Sequence, residues 1–146
     1  MIHHLSIPAQ NPRHVAEILT VLFNGVLTGF GPYQNSFIAW AADEHGTAVE
    51  VYPAGTEMFP DAGLGQANFR HEPSASGFTT THAAISVQRT REEVFELAAQ
   101  VGWRAIELPR GSFNVIEFWV ENRVLLELMT PEMTEGYLQA TRFRRA

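Results

Sequence analysis

Two histidines and two glutamates recur at matched positions along the chain. His4 precedes Glu50 by 46 residues, and His82 precedes Glu127 by 45. Each histidine opens a strand-like segment, and each glutamate lies in the apolar segment that ends its copy. Imidazole nitrogens and carboxylate oxygens together are suitable ligands for Zn, Ni, Co, Mn or Fe. The spacing therefore predicts a duplicated module that carries the residue types of a divalent metal site.

Two residue types that support other chemistries are missing. The sequence has no cysteine, and it has no lysine because all ten basic residues are arginines. Disulfides, thiolate ligands and cysteine nucleophiles are excluded. Schiff-base chemistry and a P-loop lysine are excluded as well. Metal-assisted catalysis through histidine and carboxylate is among the few chemistries that remain.

Charge and hydropathy bound the partners and the location. The net charge of -6 argues against a nucleic-acid partner, and we interpret the basic cluster at 142–145 as a solvated end. No apolar run is long enough to span a bilayer. The first residues lack a basic region followed by an apolar core, so no secretory signal is predicted. We expect a cytoplasmic protein with no membrane partner.

The first copy is predicted to be strand–helix–strand–strand–strand. Asn11 supplies an N-cap before Pro12, and Asn24-Gly25 supplies the stop of the helix. A two-residue turn at His45-Gly46 is predicted to join the last two strands. The predicted elements are the strand 2–8, the helix 12–23 and the strands 26–28, 36–42 and 47–52, with a turn at 29–32.

The second copy repeats this order. Thr90 and Glu93 have the spacing of a capping box at the start of its helix, and Gly102 ends that helix. A hairpin is predicted around Asn122-Arg123, and Thr130 is predicted to begin a C-terminal helix that ends near residue 141. The predicted strands are 80–87, 103–108, 113–120 and 124–129, with a turn at 109–111.

The stretch between the copies carries scattered proline and glycine and has no predicted element. A connection this long is typical of a functional or mobile loop. A lid over a cleft and a plain linker are equally compatible with it. The predicted organisation is a first module at 1–53, a connecting loop at 54–79, a second module at 80–130, and a C-terminal helix and tail at 131–146.

Strand alternation predicts that both histidines lie away from the helices. Leu5 and Ile7 share one face of the first strand, so His4 lies on the other. His82 likewise lies opposite Ile85. The more apolar face should pack under a helix. A single histidine on a strand is more often structural than a ligand, but its duplication together with glutamate favours a metal site.

The strands that end each copy are predicted to place their glutamates on the same face as the histidines. Glu50 lies opposite Val51 by alternation, and an unpaired carboxylate is not expected beneath a helix. Pairing across the two-residue turns places Ala41 beside Glu50 and Phe118 beside Glu127. Several side chains are then predicted to line a small-molecule site around the glutamates. They are Phe37, Tyr52, Asn114, Phe118 and Met129.

These residues resemble the vicinal oxygen chelate superfamily, also called the glyoxalase, bleomycin-resistance and dioxygenase superfamily. The resemblance covers about residues 2–129 and implies an α+β fold. Two tandem βαβββ modules would form a cupped mixed sheet with the helices outside, followed here by the C-terminal helix. The resemblance rests on the module order and on the segments His4–Ile7, Ala48–Val51, His82–Val87 and Leu126–Leu128.

The resemblance also implies a site. His4, Glu50, His82 and Glu127 would hold a divalent ion, and Glu50 or Glu127 would also act as the catalytic base. The set is similar to that of bacterial glyoxalase I and close to that of methylmalonyl-CoA epimerase. A homodimer acting on a small oxygen-bearing molecule is implied.

Several functions stay open at this point. The first is a glyoxalase-like, metal-dependent enzyme of the lyase, isomerase or epimerase type. An extradiol-type dioxygenase is the second, because it needs two histidines and one carboxylate. The third is a metal-free, bleomycin-resistance-like protein that binds a flat ligand. The fourth is a structural dimer with a vestigial cleft.

Overall fold

The computed structural model describes residues 2–31, 33–59 and 61–142. Pro32 of the predicted turn at 29–32 and residues 143–145 of the basic cluster lie outside them. Ten strands and three helices occur in the described ranges. In chain order they are β1 (His4–Ala9), α1 (Pro12–Leu22), β2 (Val26–Phe30), β3 (Ser36–Trp40), β4 (Ala48–Pro53), β5 (Thr56–Phe59), β6 (Asn68–His71), β7 (Ala83–Ser86), α2 (Arg91–Val101), β8 (Arg104–Arg110), β9 (Phe113–Val120), β10 (Val124–Met129) and α3 (Pro131–Thr141).

The chain divides into two compact units. Unit 1 comprises Met1–Thr20 and Gly25–Phe78, and unit 2 comprises Val21–Asn24 and Thr79–Ala146. Unit 1 has a sheet of order β1-β4-β3-β2, and unit 2 has one of order β7-β10-β9-β8. In both sheets the first strand pairs in parallel with the last, and the other pairs are antiparallel. The predicted α+β repeat of βαβββ modules is confirmed.

The parallel pair has the same register in both units. Ser6 lies beside Glu50 in unit 1, and Ala84 lies beside Glu127 in unit 2. Each glutamate therefore lies beside the residue that follows its histidine by two positions. Because side chains alternate, His4 and Glu50 share one face of their sheet. We call the face that carries Glu50 or Glu127 the glutamate face of its unit, and the opposite face the core face.

The antiparallel register of unit 1 differs from the prediction. Glu50 lies opposite Ile38, not Ala41, and Ala41 donates its N–H to the carbonyl oxygen of Thr47 at 2.8 Å. The connection is therefore longer than the predicted two-residue turn at His45-Gly46. Asp43 explains the difference, because one of its carboxylate oxygens accepts hydrogen bonds from the N–H groups of His45 and Thr47. An aspartate bonded in this way mimics a backbone turn, so it stabilises the longer connection.

The register of unit 2 also differs from the prediction. Glu127 lies opposite Glu117, not Phe118, because three residues at 121–123 form the turn instead of two. Glu121 and Asn122 adopt φ angles of 49° and 57°, in the left-handed region. A slip of one residue exchanges the two faces of a strand. The prediction that Phe118 faces the site is therefore wrong.

Two further segments depart from the predicted elements. The connection predicted to lack strands contains the hairpin β5–β6, in which Thr56 pairs with His71. The strand β8 continues through Pro109 and Arg110, which were predicted to form a turn. The turn follows at Gly111-Ser112, and Gly111 has a φ of 74° that suits its lack of a side chain.

The helix ends follow the predicted caps. Asn11 accepts a hydrogen bond from the backbone N–H of His14. Both bonds of the capping box between Thr90 and Glu93 are present, and Gly102 ends α2 in the left-handed conformation. No helix in the described ranges is long and apolar enough to cross a membrane.

The core lies on the face opposite the glutamates. In unit 1, Ile7, Val49 and Val51 on this face are buried together with Val15 and Leu19 of α1. In unit 2, Arg91 of α2 forms a 2.6 Å ion pair with Glu107, which shares the core face with Phe118. The end of the opposite face of unit 2 is covered by α3, because Thr134 donates to the Ser86 hydroxyl at 2.9 Å.

The start of β2 gives a test of the packing. A methyl group at Gly25 would lie 1.6 Å from the carbonyl oxygen of Trp40, whereas one at Gly29 would meet no described atom within 4 Å. We expect Gly25→Ala to lower the free energy of unfolding by more than about 2 kcal/mol, because the backbone must move. The control Gly29→Ala should change it by less than about 1 kcal/mol. Urea unfolding measures both, and equal losses would contradict this packing.

Candidate functional site

The carboxylate of Glu50 is positioned by its neighbours on the glutamate face of unit 1. Its side chain is 13% exposed. The Ser6 hydroxyl donates to Oε2 at 2.7 Å, and the Nε2 atom of His4 lies 3.8 Å from Oε1. The His4 side chain is 59% exposed, so its ring is open to solvent on one side. The parallel register produces this arrangement, since Ser6 lies directly beside Glu50 and His4 lies two positions before Ser6.

Tyr52 completes the surroundings of Glu50. It lies two residues further along β4 on the same face, and its side chain is hydrogen-bonded to Glu50. Burial, and then the negative charge and hydrogen bond of Glu50, raise the pKa of the Tyr52 phenol above its ordinary value. Neutral donors and one imidazole thus surround the carboxylate.

An aromatic cluster adjoins the tyrosine within unit 1. The ring of Tyr52 stacks on Phe69 with centroids 5.8 Å apart and meets Phe30 edge-on at 5.5 Å. Tyr33 contacts both Tyr52 and Phe69. Phe69 belongs to β6, so the hairpin in the connecting segment brings an aromatic ring to the glutamate face. A flat ligand could stack on such a surface.

The equivalent residues of unit 2 are arranged differently. His82 lies just before β7 and is exposed, and its Nδ1 atom is 3.0 Å from the carbonyl oxygen of Thr80. Glu127 has no histidine within ion-pair distance among the described residues. Its Oε1 atom instead accepts a 2.7 Å hydrogen bond from Nε of Arg110. The structure therefore pairs His4 with Glu50 but does not pair His82 with Glu127.

Arg110 links two carboxylates of unit 2. Its Nη2 atom donates to Glu117 at 2.7 Å, and Trp119 donates to the other oxygen of Glu117 at 3.1 Å. The hydrogen bond from Arg110 is the largest influence that lowers the pKa of Glu117. In return, the bonds to Glu117 and Glu127 raise the pKa of Arg110. These three charged side chains form what we call the arginine–glutamate cluster: Arg110, Glu117 and Glu127.

The predicted substrate residues divide between the two faces. Tyr52 lies on the glutamate face as expected, and so does Met129, which is buried. Phe37 lies opposite Val51 and therefore points to the core face. Asn114 and Phe118 also lie on the core face, where Asn114 donates to Glu107 at 2.6 Å and Phe118 packs edge-on against Trp103. The placement predicted for these last three was wrong, because both hairpin registers were wrong.

Sequence reasoning missed Arg110, Glu117 and Phe69. A glycine at the first position of a two-residue turn favours a tight hairpin, so Gly111 was a signal that β8 reaches Arg110. Glu117 would have followed from the correct register of β9. The sequence around Phe69 contains no comparable signal.

The architecture is matched among solved structures, although no model of a known protein family and no curated protein matches the sequence. The fosfomycin resistance protein FosX from Listeria monocytogenes, in complex with Mn(II) and sulfate, matches 96% of this chain and 95% of its own, at 17% identity and a TM-score of 0.58. FosX from Mesorhizobium loti matches with a TM-score of 0.55 at 14% identity, over 94% of this chain and 96% of its own.

A third match is a glyoxylase/bleomycin resistance protein/dioxygenase domain from Frankia sp. EAN1pec, with a TM-score of 0.52 at 14% identity, over 89% of this chain and 96% of its own. The chain has the vicinal oxygen chelate fold. This confirms the resemblance inferred from the sequence at the level of the fold.

The positions of the histidine and carboxylate side chains show whether this chain could bind a divalent ion. No group of three or more His, Asp or Glu side chains placed to hold an ion occurs in the described ranges. In unit 1 the donor pair fits, since Nε2 of His4 and Oε1 of Glu50 lie 3.8 Å apart while Ser6 fixes the other carboxylate oxygen. In unit 2 the carboxylate of Glu127 does not fit as it stands, because a guanidinium group already binds it.

Tyr52 gives a test of the Glu50 environment in protein freed of metal by a chelator. We expect Glu50→Gln to lower the pKa of Tyr52 but to leave it above the ordinary 10.0, because burial is the larger cause. Tyrosine-selective NMR titration measures this, with Tyr52→Phe to assign the signal. The exposed Glu17→Gln serves as the control. An unchanged pKa in Glu50→Gln would contradict the arrangement.

The same pKa shift has a consequence for stability. Because the neutral phenol is favoured in the folded state, the stability it contributes is complete below pH 10.0. That contribution should fall as the pH rises through the folded-state pKa of Tyr52. The fall should be smaller in Tyr52→Phe, as urea unfolding at a series of alkaline pH values would show.

Proposed function

We propose that this protein is a divalent-metal-dependent, glyoxalase-like enzyme that acts on a small molecule with oxygens on adjacent atoms. The observation that carries the proposal is the Glu50 carboxylate, largely buried, fixed by Ser6 and facing Nε2 of His4. A neutral imidazole and an ionised carboxylate that face the same space are suitable ligands for a borderline divalent ion.

The solved structures of the same fold add support. FosX from Listeria monocytogenes has been crystallised with Mn(II). A FosX variant has been crystallised with Mn(II) and 1S,2S-dihydroxypropylphosphonic acid, which carries hydroxyl groups on adjacent carbons. The Mn(II) and the diol bound by these FosX proteins support a small substrate with oxygens on adjacent atoms.

The side chains of unit 1 would have distinct roles. His4 would bind the ion through Nε2, and Glu50 would bind it through Oε1. Ser6 would keep Oε2 of Glu50 in place through its hydrogen bond, and Tyr52 would hold the same carboxylate group, as outer partners of metal ligands do. The ion would supply electrophilic stabilisation of negative charge on the substrate oxygens. Phe69 and Tyr52 would limit the access of water on one side.

The predicted roles of His82 and Glu127 as further ligands stay predictions, as does that of either glutamate as the base. The Nδ1 atom of His82 lies 3.0 Å from a backbone carbonyl oxygen, so its Nε2 atom would be the one to bind an ion. Oε1 of Glu127 would have to leave Nε of Arg110 before that oxygen could bind an ion or accept a proton.

A second function is favoured by a specific observation. The cationic partner of Glu127 and the aromatic cluster around Tyr52 suit a metal-free protein that binds a flat ligand, as the bleomycin-resistance alternative requires. Stabilisation by aromatic ligands in the presence of a chelator would support this function. Stabilisation by Mn(II) alone would support the enzyme.

Metal binding tests the proposed function directly. We expect purified protein to bind one divalent ion per chain, measured by elemental analysis and by calorimetric titration with Mn(II). His4→Ala and Glu50→Gln should each weaken binding by at least about tenfold, because losing even an outer partner of a ligand costs 10- to 100-fold.

The neighbouring histidine provides the control. His3 lies next to His4 but contacts the carbonyl oxygen of His45 through Nδ1. His3→Ala should therefore bind Mn(II) like the wild type. If His4→Ala and His3→Ala bind equally well, the assignment of His4 is wrong.

A further inference from the structure

The arginine–glutamate cluster of unit 2 has no counterpart in the residues that surround Glu50. Glu117 lies opposite Glu127, whereas Ile38 holds the equivalent place opposite Glu50. Two carboxylates directly across a strand pair repel each other. Their side chains are only 16% and 14% exposed, so water screens this repulsion poorly. The pair requires a cation.

Arg110 supplies that cation from the end of β8. Its Nη2 and Nε atoms each lie 2.7 Å from one of the two carboxylates. The guanidinium group also donates from Nη1 to the carbonyl oxygen of Pro109 at 3.3 Å. Three anchors hold it in one place. A planar group with donors on several sides suits two separate carboxylates better than an ammonium group does.

We propose that the guanidinium group of Arg110 is the resident cation of the Glu117–Glu127 pair and keeps divalent ions out of it. In unit 2 a positively charged side chain, Arg110, would then occupy the glutamate that the sequence predicts to be a metal ligand, Glu127. The inference concerns unit 2 alone and does not depend on whether His4 and Glu50 bind an ion. Arg110 is thus a specificity-determining residue for cation binding.

The geometry explains the exclusion. An ion that binds Glu127 must either displace Nε of Arg110 from Oε1 or bind the other carboxylate oxygen, and in both cases it lies beside a positive charge anchored by Glu117. Both oxygens of Glu117 are also occupied, one by Arg110 and one by Trp119. Removing Arg110 changes the formal charge of the cluster from -1 to about -2 and leaves two adjacent carboxylates, which bind hard and borderline divalent ions.

The experiment uses the full chain in a Glu50→Gln background, so that binding by unit 1 is weakened equally in every variant compared. Calorimetric titration with Mn(II) compares Glu50→Gln with the double variant that adds Arg110→Met. We expect the double variant to bind Mn(II) at least tenfold more tightly, and the added substitution Glu127→Gln to abolish the gain. Equal affinity in the single and double variants would overturn the proposal.

A matched control lies on the same strand. Arg104 is exposed and begins β8, and its hydrogen bond to Asn122 involves only its backbone N–H. Arg104→Met in the same background removes one positive charge without exposing the acidic pair. It should raise Mn(II) affinity far less than Arg110→Met does, because Arg104 acts on Glu117 only through its charge and forms no hydrogen bond with either carboxylate among the described contacts. A gain equal to that of Arg110→Met would mean that net charge is the cause, and the proposal would be wrong.

Loss of Arg110 could also unfold the protein, because it leaves two buried charges uncompensated. The proposal then requires that Mn(II) restores folding of the double variant, as followed by circular dichroism. Failure of Mn(II) to restore folding would contradict the proposal, because it would show that the Glu117–Glu127 pair without Arg110 does not bind a divalent ion. Weak Mn(II) binding by the wild type would count against the proposed function and leave this comparison intact.

Discussion

A carboxylate on a largely buried sheet face needs a compensating partner, and the two units meet this requirement in different ways. In unit 1 the partners of Glu50 are a serine hydroxyl, a tyrosine side chain and an imidazole. One oxygen of this carboxylate faces the exposed His4. In unit 2 the partner of Glu127 is a guanidinium group, which a second carboxylate, Glu117, shares. The duplicated modules therefore present different chemistry on equivalent strands.

The parallel pairing of first and last strands allows this divergence. It fixes Glu50 beside Ser6 and Glu127 beside Ala84, whatever the neighbouring strands carry. Serine donates a hydrogen bond at this position and alanine does not. The vicinal oxygen chelate fold thus supplies the location of each glutamate, and the adjacent residues decide whether it faces an imidazole or an arginine.

The sequence predicted the module order and the helix ends because these depend on local signals. Thr90 with Glu93, Gly102, and Asn11 before Pro12 act within a few residues of the helix they bound. Hairpin register is harder, because it depends on turn length. Asp43 lengthens one connection and Glu121 adds a residue to the other, and each error moved aromatic residues to the wrong face. Contacts between distant segments, such as that of Phe69 with Tyr52, leave no local signal.

We propose that Glu50 and His4 are ion ligands, whereas Glu127 stays bound to Arg110. Anomalous difference density from crystals of the full chain soaked in Mn(II) tests it most directly. A peak within bonding distance of both Nε2 of His4 and Oε1 of Glu50, with Arg110 still on Glu127, is the predicted result. A peak at Glu117 and Glu127, or none beside Glu50, would contradict it.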